Sequence, residues 1–420
     1  MDKLIIEGGK LLDGAITVSG AKNSSLPILA ATLLTDSQCI VHGVPGVMDI
    51  RTMLKIIGAL GIASQFERGS IVTNPASQDT CVAPYELVST MRASICVLGP
   101  LLAKRGFAKV SLPGGCVIGP RPINLHLKGL AMMGAEIEIE GGYVIARAKQ
   151  LKGRHVYLGG PFGSSVLATA NIMMAATMAK GTTVIENAAC EPEVVDLANF
   201  LNKMGAKIRG IKTHVIEVEG VKALAGAEHT IIPDRIETGT YLIAGILAAK
   251  DLTLKNIEVN HIRAILDILK EAGVSVKMHN GEISVRRVRR LRPSDVTTLP
   301  YPGFPTDMQA QMMALLCCAD GISVITERVY PERFMHVSEL NRMGAQIKLE
   351  GSSAIIRGKK KLSGAPVMAS DLRASAALVL GGLVADGATE ISRIYHLDRG
   401  YERLDEKLSG VGARIRREKA

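Results

Sequence analysis

Tryptophan is absent, and six phenylalanines with eight tyrosines bring aromatic residues to only 3% of the 420-residue sequence. Hydrophobic residues make up 47%, so a large core is possible, but it must be built from Ala, Val, Ile, Leu and Met. The scarcity of rings also argues against single-stranded nucleic acid as a partner, because such binding uses aromatic stacking platforms. There is no run of eighteen apolar residues, and the opening Met-Asp-Lys-Leu-Ile-Ile-Glu is not a basic, apolar leader. These absences lead us to expect a cytoplasmic protein without membrane insertion. The seven cysteines, at 39, 81, 96, 116, 190, 317 and 318, are odd in number and scattered, with no C-x-x-C pair. Neither a disulfide framework nor a zinc site is indicated, and no metal or cofactor is expected.

Charge is not lacking. Fifty Lys and Arg against forty Asp and Glu leave a formal +10, which suits nucleic acid, a membrane surface or a small polyanionic ligand without choosing among them. The densest basic run, Arg286 to Arg292, follows the strand-like Gly281-Glu-Ile-Ser-Val285 and reads as a solvated edge, as does Lys359 to Lys361. The length suggests two or three domains.

The clearest organisation is an internal repeat. A phrase that ends a helix and opens a strand recurs around Gly61, Gly134, Gly205, Gly273, Gly344 and Gly412, at spacings of 73, 71, 68, 71 and 68 residues. In each copy the glycine sits where a helix C-terminus needs a left-handed residue. The segments before it, such as Glu193 to Lys203 and His261 to Lys270, carry apolar residues at helical spacing. Between copies lies a second helix rich in Ala and Met, as in Asn171 to Ala179, Thr240 to Ala248, Gln309 to Leu316 and Ala374 to Leu380. A helix apolar on every side is buried on every side. Three such units can close around their buried helices, so six give two similar domains with strands outside and helices within. The strand at Leu4 to Glu7 must then complete the second domain, because the first buried helix begins only near Ala21. This places linkers near residues 20 and 232, domains at 21–232 and at 1–20 with 233–420, and a hinged cleft.

The stretch Ser111-Leu-Pro-Gly-Gly-Cys116-Val-Ile-Gly-Pro-Arg121-Pro-Ile-Asn124 puts a thiol and a guanidinium on a backbone of glycines and prolines that can be neither helix nor central strand. A cation near a thiol lowers its pKa and makes it a better acid and nucleophile; the alternative is a half-buried loop cysteine without a role. Arg92, Arg121, Arg333, Arg373 and Arg399, with Lys22, are candidates to meet a ligand carrying both carboxylate and phosphate. Gly159-Gly-Pro-Phe-Gly-Ser-Ser165 leads into a helix and could hold a second phosphate, or be ordinary capping. Asp307 and Asp371 could likewise be N-caps only. Cys190, Cys317 and Cys318 read as core, and the histidines show no metal spacing.

Several motifs taken together resemble one family: Ser19-Gly-Ala-Lys22-Asn23, Arg92-Ala-Ser94, Leu112-Pro-Gly-Gly-Cys116 through Arg121-Pro122, and Pro233-Asp-Arg-Ile-Glu-Thr-Gly-Thr240. To these are added Pro305-Thr-Asp307-Met-Gln309, Arg333-Phe-Met-His336-Val337, Asp371-Leu-Arg373 and Asp398-Arg399-Gly-Tyr-Glu402. The sequence is similar, from Met1 to about Gly412, to the UDP-N-acetylglucosamine 1-carboxyvinyltransferases, which transfer enolpyruvyl from phosphoenolpyruvate in the first committed step of peptidoglycan synthesis. The resemblance implies an inside-out α/β barrel in each of two domains, each made of three βαβαββ repeats around buried helices. It also implies two small-molecule substrates, phosphoenolpyruvate and UDP-N-acetylglucosamine, and no nucleic acid. By the same resemblance Lys22, Asn23, Arg121 and Arg399 would hold phosphoenolpyruvate, mainly its phosphate, and Arg333 and Arg373 would take its carboxylate side, beside Asp371. Arg92, Arg121, Pro122, Ile123, Asn124, Leu125, Gly163, Ser164, Ser165, Val166, Asp307 and Val329 would line the nucleotide-sugar site. Asp307 would be the base for the sugar hydroxyl, Cys116 the acid, and Lys22 and Arg399 would stabilise charge in the reaction. The chain departs from the family's Ser-Val-Gly-Ala-Thr in reading Ser165-Val-Leu167-Ala-Thr169. The rival family, 5-enolpyruvylshikimate-3-phosphate synthase, has Pro-Gly-Ser-Lys-Ser near residue 22 and lacks the cysteine loop. A basic nucleic-acid-binding repeat protein is the rival of another class.

Overall fold

The structure is a computed structural model, and it describes residues 2–75, 80–114, 123–279, 281–359 and 361–419. Every glycine of the repeated phrase has a positive φ, between 84° and 101°, at the end of a helix. In five of the six, the residue after the glycine donates its N–H to the carbonyl five residues back, as Ala345 N does to Leu340 O at 3.1 Å, which closes the helix and aims the chain into a strand.

Apart from one two-stranded pair, the described strands form six four-stranded sheets on one plan, shown by the fifth repeat. Val296–Thr297 runs parallel to Ile322–Thr326, which pairs antiparallel with Ser353–Arg357, which in turn pairs with the outer strand Gln346–Glu350. The Ala- and Met-rich helices are buried on almost every side. All fourteen residues of Arg235–Ala248 are buried, and so are all eight of Gln309–Leu316. The helices before the glycines differ, as the spacing predicts: Arg263–Glu271 buries only Ile265 and Leu269, one turn apart.

Two separate cores result. One holds apolar residues from Ala21 to Ile231; the other joins Leu4 to Val18 with Ile236 to Ala413. The described chain divides correspondingly into one unit of 2–19 and 233–419 and another of 20–114 and 123–232.

Both chain ends are used to finish sheets. In the sixth repeat, Asp2–Glu7 occupies the inner place that Ser353–Arg357 has in the fifth, pairing with Ala388–Ser392 on one side and Arg414–Lys419 on the other. The N-terminus does more than expected, because Leu12–Thr17 also runs parallel to Ala249–Lys255 in the fourth repeat. In the other unit the closing strand is Glu228–Thr230, parallel to Cys39–His42.

Near the points where the chain leaves each unit, the two segments are tied together. Asp234 N donates to Ser19 O at 2.9 Å in one unit, and Ala21 N donates to Ile232 O at 2.7 Å in the other. Gly20 fits here for want of a side chain, since a Cβ on it would lie 1.8 Å from the carbonyl oxygen of Gly43.

Candidate active site

In the unit completed by the N-terminal strands, three predicted residues meet. Asp307 stands in the short 3-10 turn Thr306–Met308 that leads into the buried helix Gln309–Leu316, and its side chain caps no helix. Arg333 lies ahead of helix Val337–Arg342, and Arg373 in the first turn of Leu372–Val384. Arg333 Nη1 donates to Asp307 Oδ1 at 2.8 Å, while Arg373 donates to Oδ2 from Nη2 at 2.9 Å and Nε at 3.2 Å. Both guanidiniums are almost wholly enclosed, whereas the carboxylate keeps 28% of its surface. Burial alone would raise the carboxyl's pKa, but the charges of Arg373 and then Arg333, with their hydrogen bonds, outweigh it and hold the group well below the usual range. Asp307 is therefore an ionised acceptor at neutral pH.

The surroundings hold this triad in place. Asp371 is indeed an N-cap: it receives the N–H groups of Arg373 at 2.8 Å and Ala374 at 3.1 Å, which fixes the turn that carries Arg373. The Arg373 guanidinium lies 5.3 Å from the ring centre of Tyr401, whose hydroxyl meets Thr240 at 2.8 Å and Gln311 Nε2 at 3.1 Å. Several buried polar atoms here have no partner among the described residues: Arg373 Nη1, Gln309 Oε1, Gln311 Oε1 and His336 Nε2. Enclosed orphans of this kind suit a polar ligand, since leaving them unpaired is costly. Burial pushes the His336 pKa down to about 4, so its ring is neutral. Val329 is half-buried, and its N–H is held by Glu327 Oε1 at 2.8 Å. Arg399 ends the 3-10 turn Ile394–Arg399; the preceding Asp398 is gripped by Arg417 through bonds of 2.9 and 2.7 Å.

The remaining predicted residues belong to the unit of 20–232. Lys22 opens helix Lys22–Ala31, is buried, and reaches Asp49 Oδ2 at 3.1 Å; Asn23 beside it is half-buried. Arg92 begins the 3-10 segment Arg92–Val97. Enclosure, and secondarily the charge of Arg92, lower the His126 pKa to about 3, so its neutral ring accepts from Asn171 Nδ2 at 2.9 Å. Ile123, Asn124 and Leu125 form the entry to helix Asn124–Met132. Gly159–Gly160 and Gly163–Ser164 pair antiparallel, and Ser165 caps Val166–Ala176 by accepting from Ala168 N at 3.3 Å. The Leu167 that departs from the family's glycine is half-buried in the first turn of that helix. Cys116, Arg121 and Pro122 lie outside the described residues.

Sequence reasoning missed three buried polar clusters. Asp196 accepts from Ser24, from His229 Nε2 at 2.8 Å and from Ile232 N at 3.3 Å. Glu237 takes Lys407 Nζ at 2.6 Å and Ser19 N at 3.2 Å. Glu327 is the third. Their partners lie far apart in the chain, and no spacing rule points to them. One expectation needs correcting: Cys190 and Cys317 are buried, but Cys318 is only half-buried because it sits in the turn that follows helix Gln309–Leu316.

Comparison with known proteins separates the two enolpyruvyl readings. The profile of the family described as EPSP synthase (3-phosphoshikimate 1-carboxyvinyltransferase) matches residues 6–408. The chain is 55% identical over 418 residues to the UDP-N-acetylglucosamine 1-carboxyvinyltransferase of Methylacidiphilum infernorum, covering 99% of each. It is 54% identical over 415 residues to UDP-N-acetylglucosamine 1-carboxyvinyltransferase 1 of Caldanaerobacter subterraneus, again covering 99% of each. The chain belongs to the UDP-N-acetylglucosamine 1-carboxyvinyltransferase family. Among solved structures, the enolpyruvyl transferase NikO from Streptomyces tendae superposes with a TM-score of 0.91 at 25% identity, over 100% of this chain and 99% of its own. An EPSP synthase from Acinetobacter baumannii, 18% identical over both full chains with a TM-score of 0.77, shares the fold. The fold is thus the two-domain α/β barrel of the enolpyruvyl transferases, as the repeat count implied.

Proposed function

We propose that this chain transfers the enolpyruvyl group of phosphoenolpyruvate to the 3-hydroxyl of UDP-N-acetylglucosamine with release of phosphate, in the cytoplasm, as the first committed step of peptidoglycan synthesis. The observation that carries this reading is the Asp307 carboxylate, ionised and fixed by Arg333 and Arg373, amid buried polar atoms that have no partner among the described residues. No described helix is long and apolar enough to cross a membrane.

The chemistry asks for an acid and a base. The sugar hydroxyl loses its proton as its oxygen attacks C2 of phosphoenolpyruvate, and C3 gains a proton to give a tetrahedral ketal. Asp307 takes the hydroxyl proton, and Cys116 supplies the proton to C3. In the elimination the Cys116 thiolate takes a proton back from C3, the double bond returns, and phosphate is expelled, whose charge Lys22, Asn23, Arg121 and Arg399 receive without reorganising. Arg333 and Arg373 meet the carboxylate of phosphoenolpyruvate, with planar forks already set by packing. Arg92, residues 121–125, the 163–166 segment and Val329 hold the nucleotide sugar. The domains on this reading are 21–232, which carries the cysteine loop, and 1–20 with 233–420.

The test is phosphate release from phosphoenolpyruvate with and without UDP-N-acetylglucosamine. Release only in the presence of the nucleotide sugar supports the reading; release that ignores it, or that needs shikimate 3-phosphate instead, overturns it.

A further inference from the structure

Glu327 follows strand Ile322–Thr326 and is wholly buried, at 0% exposure, yet the transfer chemistry gives it nothing to do. A buried carboxylate needs a reason, because removing it from water is costly unless its lone pairs are met. Here they are met entirely by donors that matter for the site. Oε1 receives the Thr298 hydroxyl, Val329 N at 2.8 Å and Tyr330 N at 2.9 Å. Oε2 receives the hydroxyl of Thr306, the neighbour of Asp307, at 2.8 Å. Thr306 in turn accepts from Arg333 Nη1 at 3.1 Å, the same nitrogen that grips Asp307 Oδ1.

A guanidinium can only donate. Thr306 therefore turns a lone pair to Arg333 and its hydrogen to Glu327. The chain of donors runs one way, from Arg333 through Thr306 to Glu327. Thr298 adds a brace: it donates to Glu327 and accepts from Arg328 N at 3.0 Å, so the backbone from 328 to 330 is pinned beside the same carboxylate.

The geometry points to Glu327 as a positioning residue of the transfer reaction: through Thr306 it orients the Arg333 guanidinium against Asp307, and through its other oxygen it sets the backbone at Val329. This rests on the proposed function for the roles of Arg333 and Val329. Glutamine is nearly the same size but would place an NH2 where Thr306 needs an acceptor, and that NH2 would compete with Arg333 for the Thr306 lone pairs.

The experiment uses the full chain with Glu327→Gln, Thr306→Val, their double variant, and Thr306→Ser, which keeps the hydroxyl. The readouts are KM for phosphoenolpyruvate and the carbon-13 titration of the Asp307 carboxyl, assigned with Asp307→Asn. We expect Glu327→Gln and Thr306→Val each to raise KM about tenfold and to move the Asp307 titration upward. The double variant should be no worse than either single one, because both cut the same relay, and Thr306→Ser should behave as wild type. An unmoved Asp307 titration in Glu327→Gln, or effects that multiply in the double variant, would overturn the inference and leave Glu327 a loop anchor. The titration needs no turnover, so it judges Glu327 even where phosphate release has refuted the transfer reading. If Glu327→Gln does not fold, the Thr306 pair decides: a serine variant as impaired as the valine one refutes the relay.

Discussion

Replacing Asp307 by asparagine separates what this carboxylate does for the fold from what it does for the reaction. Asparagine keeps one acceptor oxygen but presents an NH2 to a guanidinium that had an acceptor, and it removes the carboxylate that pairs directly with two buried cations. Breaking a buried ion pair by removing one partner costs about 3–5 kcal/mol. Because 28% of the Asp307 side chain still meets solvent, water recovers part of this, and we expect a loss of about 2–4 kcal/mol at neutral pH. The pH dependence has a definite sign. The folded carboxyl titrates well below its unfolded value, so the contribution is fully present above about pH 4, the ordinary aspartate range, and is lost as pH falls through the folded value. Urea unfolding of wild type and variant from pH 8 down to pH 3 measures the gap, which should be flat at first and then narrow. Turnover should fall about 10²–10⁴-fold, the usual worth of a general base, while binding of phosphoenolpyruvate should not weaken, since both guanidiniums become available. A gap below about 1 kcal/mol, or one that persists unchanged into acid, would refute the ion-pair account. Near-normal turnover would remove Asp307 from the chemistry.

Asp371→Ala should cost about 1 kcal/mol by uncapping the helix that carries Arg373 and should lower turnover with it, while Asp371→Asn, a good cap, should recover most of both. Gly344→Ala should cost about 1–2 kcal/mol in thermal unfolding from backbone strain alone, because φ is 85° and a Cβ there meets nothing closer than 3.7 Å; a smaller loss would show that the repeated glycine is not needed for its conformation. Cys116 should be the first of the seven cysteines alkylated at neutral pH, as read by mass mapping. Burial pushes the thiols of Cys96, Cys317 and Cys318 upward, the last to about 11, so first modification at any of them would contradict this. Arg399→Ala or Lys22→Ala should lower turnover at least tenfold and Arg289→Ala very little; equal losses would show that the basic residues were wrongly sorted.

Much of the architecture could be read from the sequence because it depends on local rules repeated six times. A glycine at 273 or 344 ends a helix whatever surrounds it, and a segment such as Gln309 to Leu316, apolar on all sides, has nowhere to go but inward. Asp307, Arg333 and Arg373 were each singled out from residue type and resemblance, but their pairing was not legible, since 26 and 66 residues separate the partners. Glu327, Asp196 and Glu237 were invisible for the same reason. A charged residue after a strand looks like surface, and only the fold shows that Thr298 and Thr306, 29 and 21 residues away, turn it into an anchor. The reading of Arg286 as solvated holds: it is exposed and pairs with Asp251 at 2.6 Å.

The place of Asp2–Glu7 inside the last sheet sets an order for assembly on the ribosome. Leu4 pairs with Ile391, 387 residues later, so this strand leaves the exit tunnel long before the neighbours it must find. At a synthesis rate of about 5–20 residues per second, it waits roughly 20–80 seconds as an unpaired apolar segment. The unit of 20–232 has no such delay, because its closing strand, Glu228–Thr230, emerges with the rest of it and can complete the ladder beside Cys39–His42. Nascent chains should therefore carry a finished inserted unit while the surrounding one still lacks its final repeat, and the apolar Leu4-Ile-Ile segment is where a chaperone has most reason to bind.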